Sequence, residues 1–408
     1  MLLKLLRFSI DFINVVVQKK RFSLLFYTSA VVIRILIVVL LILGFPVLES
    51  HDFWYFHHGG DQNYYFDFAN VLVEGGSNQY FSVNLGWPAI MAIMMHIFDV
   101  TLFSELLPYV VIFNGIMLGG LSVVLVGKLT ARLLNSVIAG YFAGFLWAVM
   151  PWLIYLLLWP HPYADLVRMP YVPGVAWLQG LPDGPGMFFI LVSVYCFVRY
   201  LDSYQISWII FSGVSCGLML LFRVHFVTML LLLVCVIAMR GYWWDLLLFL
   251  SVTGIMYVPQ IIYNRFSSLA IGAPGYNPWL PGYLYFGFID VMADTVFYYD
   301  NSSFNVISVD HWIDYIVTLV QDNFIVFCLL CVVFCLYIFC WIVTRSVLDL
   351  SRSLIVFVAP LASIGILSVS SVFADNAYRF ALPAIPFVLI LGIWFCVFVI
   401  RNKVLQNH

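Results

Sequence analysis

Residues 51–74 read HDFWYFHHGGDQNYYFDFANVLVE and crowd His51, Asp52, His57, His58, Asp61, Asp67 and Glu74 among aromatic side chains. Carboxylates in such a setting can take up a proton, and imidazoles can hydrogen-bond a substrate or ligate a metal. After Gly59-Gly60 the segment from Asp61 to Glu74 has helical character, so Asp61, Tyr65 and Ala69, at i, i+4 and i+8, share one face. Asp61 then stands at the helix start, where two readings are open: a cap in favourable contact with the helix dipole, or a group that does chemistry. His57 and His58 with Asp61 supply imidazole and carboxylate ligands for a divalent ion. Adjacent histidines in a glycine loop do not readily converge on one ion, so substrate hydrogen bonding or interfacial solvation is the simpler role. No metal or other cofactor is required.

Other polar residues stand alone in apolar surroundings. Asp183 lies in Pro182-Asp183-Gly184, which reads either as a turn or as a site. Arg223 interrupts the apolar run GLMLLFRVHFVTM; an arginine at mid-membrane costs about 2.5–3.5 kcal/mol on insertion scales, so it needs a partner or a wet cavity, unless it snorkels to the interface. Arg379 lies in AYRFALP, and Arg168 and Arg265 are the other arginines expected in outer segments. Arg34, inside the first apolar run, is expected in a structural ion pair.

The elements that must hold these residues are membrane helices. Of 408 residues 64% are hydrophobic and only 9% are charged, against about a quarter charged in ordinary soluble domains, which excludes a soluble globule. No basic tract points to nucleic acid. A crossing takes about 20 residues, and the apolar runs give ten: about 23–44, 106–127, 135–157, 185–200, 207–222, 224–239, 243–263, 322–344, 353–373 and 384–400. The run from 207 to 239 is one over-long helix or two short ones hinged at Arg223, and charge decides. With two, thirteen of the eighteen basic residues fall on one side; with one, Arg240, Arg345, Arg352, Arg401 and Lys403 change sides against the positive-inside rule.

The sequence thus predicts an all-α polytopic membrane protein of about ten transmembrane helices, a single integral membrane domain over 1–408, with both termini cytoplasmic. Residues 1–22 read as an interfacial helix before a retained first span. Outer loops run about 45–105, 158–184 and 264–321, the first long and carrying interfacial helices. Sixteen of the twenty acidic residues and most histidines then lie toward the outer face, so chemistry is expected there. All eight cysteines sit in apolar runs, which argues against a disulfide framework.

The string GDQNYYFDFANVLVEGG, followed by GWPAI and a short apolar helix, resembles the first outer loop of the membrane-embedded glycosyltransferases of the C superfamily (GT-C fold), which include protein O-mannosyltransferases and aminoarabinose transferases. Asp61, Tyr65, Ala69, Gly75 and Pro88 match that family's order of Asp, Tyr, Ala, Gly and a Pro turn. NGIMLGGLSVVLVGKLTARLLN, AVMPWLIYL, LPDGPGMFFILVSVYCFVRYL, GLMLLFRVH, YVPQIIYN and YRFALPAIP extend the likeness over most of the chain. Two positions depart from it. Asp61-Gln62 stands where many members have Asp-Glu, and Gly86-Trp87-Pro88 lacks the Lys that some members place before the Pro turn.

The resemblance implies transfer of a sugar from a polyprenyl-phosphate carrier to a hydroxyl or amine on the outer face, by single displacement. It makes Asp61 the general base and Asp183 the second acid, which orients acceptor or donor sugar. Arg379 and Arg223 are the groups that would meet the lipid phosphate, and His57, His58, Tyr65 and Arg168 would line the substrate. Expected partners are the polyprenyl-phosphate sugar, a glycan, lipid or protein acceptor, and membrane lipids. The expected location is a plasma membrane, a bacterial inner membrane in particular. The competing readings are an envelope polysaccharide polymerase or ligase using an oligosaccharide on a lipid diphosphate, and a multi-pass transporter or flippase; the latter predicts an internal repeat and mid-membrane polar residues, and neither is prominent.

Overall fold

A computed structural model of the chain describes residues 20–44, 61–75, 84–158, 181–270, 350–364 and 382–406, and among them every regular element is a helix. In chain order these are α1 (Lys20–Gly44), α2 (Asp61–Glu74), α3 (Gly86–Phe98), α4 (Phe103–Val110) and α5 (Gly119–Leu133). They continue with α6 (Val137–Leu158), α7 (Asp183–Ser203), α8 (Ile206–Phe222), α9 (Val227–Met239), α10 (Trp243–Ala270), α11 (Leu350–Ile364) and α12 (Ile385–Gln406). A π-helical stretch, Val111–Leu118, joins α4 to α5 without a break, and the three form one apolar segment over Phe103–Leu133. The described part is an all-α membrane bundle. Lys20–Leu40, Phe103–Leu133, Asp183–Ser203 and Trp243–Tyr263 are long and apolar enough to cross a membrane, while the run expected at 322–344 lies outside the described residues.

Small residues let these helices approach. A Cβ on Gly140 would come within 2.5 Å of the Gly127 carbonyl oxygen, and one on Gly127 would meet the Tyr27 ring at 2.5 Å, so α1, α5 and α6 pack backbone against backbone or ring. Hydroxyls cement the next layer: Ser193 Oγ donates to the Ser212 carbonyl at 3.0 Å, Ser212 Oγ returns the bond to the Ser193 carbonyl at 2.9 Å, and Thr253 Oγ1 reaches the Gly213 carbonyl at 3.2 Å. These bonds give α7, α8 and α10 one common seam. Around it lies the main apolar core, with Trp147, Phe197, Tyr200, Phe226, Phe249 and Phe387 as its largest buried side chains among the described residues.

Charged groups gather at one end of the bundle. Asp202 at the end of α7 accepts from Arg132 of α5 at 2.6 Å and from Arg352 of α11 at 2.7 Å. Arg240, following α9, donates to Ser351 Oγ at 2.7 Å and to the Tyr204 hydroxyl at 3.0 Å, and the Tyr200 hydroxyl donates to Asp245. Tyr204 precedes α8 and Arg240 follows α9, so both ends of the α8–α9 pair lie together. The chain therefore goes up and returns. The break falls at Arg223, where the sequence places it: the residue is extended (φ −153°, ψ 102°) between Phe222 and a 3₁₀ turn at Val224–Phe226.

Arg34 departs from expectation. It is 1% exposed, and among the described residues no carboxylate forms a salt bridge with it. Its Nη1 donates instead to the Trp147 carbonyl at 3.3 Å, and the guanidinium lies 5.9 Å from the Trp147 ring centroid. The reason is local. In α6 the Trp147 carbonyl would accept from the residue four positions on, but that residue is Pro151, which has no N–H. A carbonyl left over by proline is a neutral partner for an arginine that meets no acid among the described residues. The indole N–H of Trp147 bonds Ser122 Oγ at 2.8 Å, fixing the ring against α5.

Candidate functional site

The opposite end of the bundle brings two of the candidate residues together. Pro182-Asp183-Gly184 is a helix start, with Pro182 as the capping residue and Asp183 in the first turn of α7. Arg223 follows the last residue of α8. Because α7 and α8 are antiparallel, the beginning of one lies beside the end of the other, and Arg223 Nη2 meets Asp183 Oδ2 at 2.8 Å. Each charge sits on the helix terminus whose dipole favours it, the acid at an N-terminus and the cation at a C-terminus. The two side chains are only 7% and 4% exposed. This is the partner that an intramembrane arginine requires, and it joins two residues singled out separately in the sequence.

Aromatic packing holds the pair in place. Phe189, two turns into α7, stacks on Phe222 with centroids 5.4 Å apart and planes at 16°. Gly186 is small because a Cβ there would lie 2.6 Å from the Phe226 ring, which follows the break. Leu181 and Phe222, the near neighbours of Asp183 and Arg223, both belong to a second apolar cluster with Tyr65, Phe68 and Ala69 of α2 and Trp87 and Met91 of α3. The two short helices of the first loop are therefore seated on the residues flanking the ion pair.

Asp61 is the first residue of α2, as its spacing indicated, and the i+4 and i+8 positions Tyr65 and Ala69 are buried, at 7% and 0% exposure. The face that carries them is thus packed against α3. The Asp61 side chain lies outside what the structure describes, as do His57, His58, Arg168 and Arg379. Gln62 is buried at 2% exposure. Among the described residues no three His, Cys, Asp or Glu side chains gather as a metal site would need.

Sequence reasoning gave no role of their own to three residues that pack in this region. Asn84 Nδ2 donates to the Leu220 carbonyl at 2.9 Å, and the Leu85 N–H donates to Gln260 Oε1 at 2.7 Å. Gly86 lies so close to α8 that a Cβ would come within 2.8 Å of the Leu221 carbonyl carbon and oxygen. The available signal was Gln260 itself, a polar side chain directly after Pro259 in an apolar helix, fully buried.

The fold has a solved counterpart. Over 95% of this chain the structure aligns with the crystal structure of the Archaeoglobus fulgidus oligosaccharyltransferase in its apo form, at a TM-score of 0.55 and 15% identity, covering 52% of that protein. The chain has the GT-C fold. It spans about half the length of the oligosaccharyltransferase chain that shares this GT-C fold. Archaeoglobus fulgidus AglB in complex with an inhibitory peptide and a dolichol-phosphate aligns at a TM-score of 0.49 and 13% identity, over 93% of this chain and 51% of that one. The Archaeoglobus fulgidus oligosaccharyltransferase tethered through a disulfide to an acceptor peptide containing the NVT sequon gives 0.49 and 12%, over 92% and 50%. No family model matches the sequence, and no curated protein does.

Proposed function

We propose that the protein is a membrane glycosyltransferase that moves a sugar from a polyprenyl-phosphate-linked donor to an acceptor hydroxyl or amine. The observation that carries this reading is the buried Arg223–Asp183 pair, seated beneath the helix that Asp61 begins, at the end of a GT-C bundle opposite its cationic cluster. Positive charge marks the cytoplasmic side of membrane proteins. The end with Arg132, Arg199, Arg240 and Arg352 is then cytoplasmic, and the ion pair belongs to the outer face.

In the reaction Asp61 takes the proton from the acceptor O–H or N–H as that atom attacks the anomeric carbon. The bond from this carbon to the phosphate oxygen breaks, its electron pair leaves with the polyprenyl phosphate, and the sugar inverts. Charge grows on the leaving phosphate, where a guanidinium stabilises it. Arg223 takes this part, with Arg379 from the later segment as the second cation. Asp183 fixes the plane of the Arg223 guanidinium and orients the incoming sugar. Tyr65 supports the Asp61 face of α2, and His57, His58 and Arg168 line the substrate. No cofactor is invoked. The acceptor is a glycan, lipid or protein, and the host membrane is a bacterial inner membrane with both termini cytoplasmic.

A second reading, oligosaccharide transfer from a lipid diphosphate, draws on the solved fold counterpart being an oligosaccharyltransferase. The test is transfer of radiolabelled sugar from polyprenyl-phosphate monosaccharides, comparing wild type with Asp61→Asn at matched expression. Loss of a general base lowers the rate by about 10²–10⁴-fold. Equal transfer by both proteins would make Asp61 a helix cap and remove it from the mechanism.

A further inference from the structure

The first loop is bolted to the membrane bundle beside the ion pair, and the bolts are side chains with no evident packing reason to be polar. The extended backbone at Arg223 ends α8, so Leu220, four residues before Val224, carries a carbonyl without a helical donor. Asn84 Nδ2 supplies that donor at 2.9 Å across 136 positions of sequence. One residue later the Leu85 N–H, ahead of the first turn of α3, donates to Gln260 Oε1 of α10 at 2.7 Å across 175 positions. One residue later again, Gly86 lets the backbone of α3 touch the Leu221 carbonyl. Three consecutive residues thus lock the start of α3, two to the last turn of α8 and one to α10, and α3 carries α2 on its apolar face.

We infer that Asn84 and Gln260 are positioning residues, which fix the distance between the helix that begins at Asp61 and the Arg223–Asp183 pair. This rests on the glycosyltransferase reading: a base on α2 and a cation after α8 must flank one anomeric carbon, so a shift of α3 against α8 spoils both at once. Apolar packing alone does not specify such a register. Methionine and aromatic contacts like those of Trp87 and Met91 tolerate sliding, whereas two directed hydrogen bonds do not. Gln260 is 0% exposed and Asn84 5% exposed, so water offers no replacement partner. Neither residue touches the reacting atoms. Their loss should therefore lower turnover while leaving affinity for the donor lipid nearly unchanged.

The test uses the full chain in lipid nanodiscs, with Asn84→Ala, Gln260→Met and the conservative Gln260→Glu, which keeps an acceptor oxygen for the Leu85 N–H. Two quantities are read: kcat and KM for a polyprenyl-phosphate monosaccharide, and amide hydrogen exchange in residues 84–98. Misplacing reacting groups by about 1 Å costs on the order of 10²-fold, so kcat is expected to fall about 10–100-fold in Asn84→Ala and Gln260→Met. KM for the donor should stay within about threefold, and Gln260→Glu should recover most of the loss. Exchange in residues 84–98 should rise in the two damaging variants while that of residues 183–200 stays at the wild-type level. Unchanged exchange, or an effect confined to KM, would overturn the assignment. If wild-type protein transfers no sugar from any donor, the glycosyltransferase reading fails, and the exchange experiment still decides whether the clamp exists.

Discussion

Replacing Asp183 by Asn should cost more stability than replacing both Asp183 and Arg223. The ion pair is 2.8 Å long with both side chains under a tenth exposed, so the single change takes the carboxylate away from a buried guanidinium beside Phe189, Phe222 and Leu181. Removing one partner of a buried pair costs about 3–5 kcal/mol, while replacing both by apolar groups of similar size is often close to neutral. With an unfolding entropy of about 2.1 cal/mol/K per residue, a 408-residue chain loses on the order of 4–6 °C in Tm for that cost. Asp183→Asn and Arg223→Met are each expected to fall by that amount, and the double variant by less than either. A charge exchange, Asp183→Arg with Arg223→Asp, keeps a pair but sets each charge against its helix dipole, at about 0.3–1 kcal/mol per end, so it should stay below wild type. Thermal melts of detergent-purified protein, followed by loss of the monodisperse fraction, read all four. Additive losses in the double variant, or single variants that melt with wild type, would show that the two groups do not depend on one another.

Three other substitutions test the frame around the site. Gly140→Ala should destabilise by about 1–3 kcal/mol, since its Cβ would lie 2.5 Å from the Gly127 carbonyl oxygen, and the drop should appear in the same melts. Arg34→Met should be tolerated better in a Pro151→Ala background, where residue 151 regains an N–H for the Trp147 carbonyl; a double-mutant cycle should return a coupling of about 1 kcal/mol, and no coupling would refute the account of that hydrogen bond. Asp202→Ala releases Arg132 and Arg352 together, yet with side chains 20–31% exposed the cost should stay near about 1–2 kcal/mol and shrink in high salt.

Much of the helical frame was legible because lipid imposes a simple demand, about 20 apolar residues per crossing, and because basic residues mark one side. The hinge at Arg223 could be placed from charge alone: a single helix over 206–239 would have separated Tyr204 from Arg240, which the structure brings to 3.0 Å. Asp61 at a helix start followed from i, i+4, i+8 spacing after two glycines. Pairing was harder to read. Asp183 and Arg223 were each singled out, but nothing in forty residues of separation says that antiparallel helices bring them together. Arg34 was assigned an acid because buried arginines usually have one; the proline that frees the Trp147 carbonyl lies four residues beyond it and gives no periodic signal. Asn84 and Gln260 are invisible to pattern reasoning for the same reason, since their partners are backbone atoms more than 130 positions away.

The central claim is the donor, and one experiment addresses it: purified protein in nanodiscs is offered matched polyprenyl-monophosphate monosaccharides and polyprenyl-diphosphate oligosaccharides, and release of the free lipid phosphate is followed with time. The account predicts release of polyprenyl monophosphate from at least one monosaccharide donor in the presence of acceptor, and its loss in Asp61→Asn. Release only from the diphosphate oligosaccharides would contradict it, and would move the chain to the oligosaccharide-transferring reading.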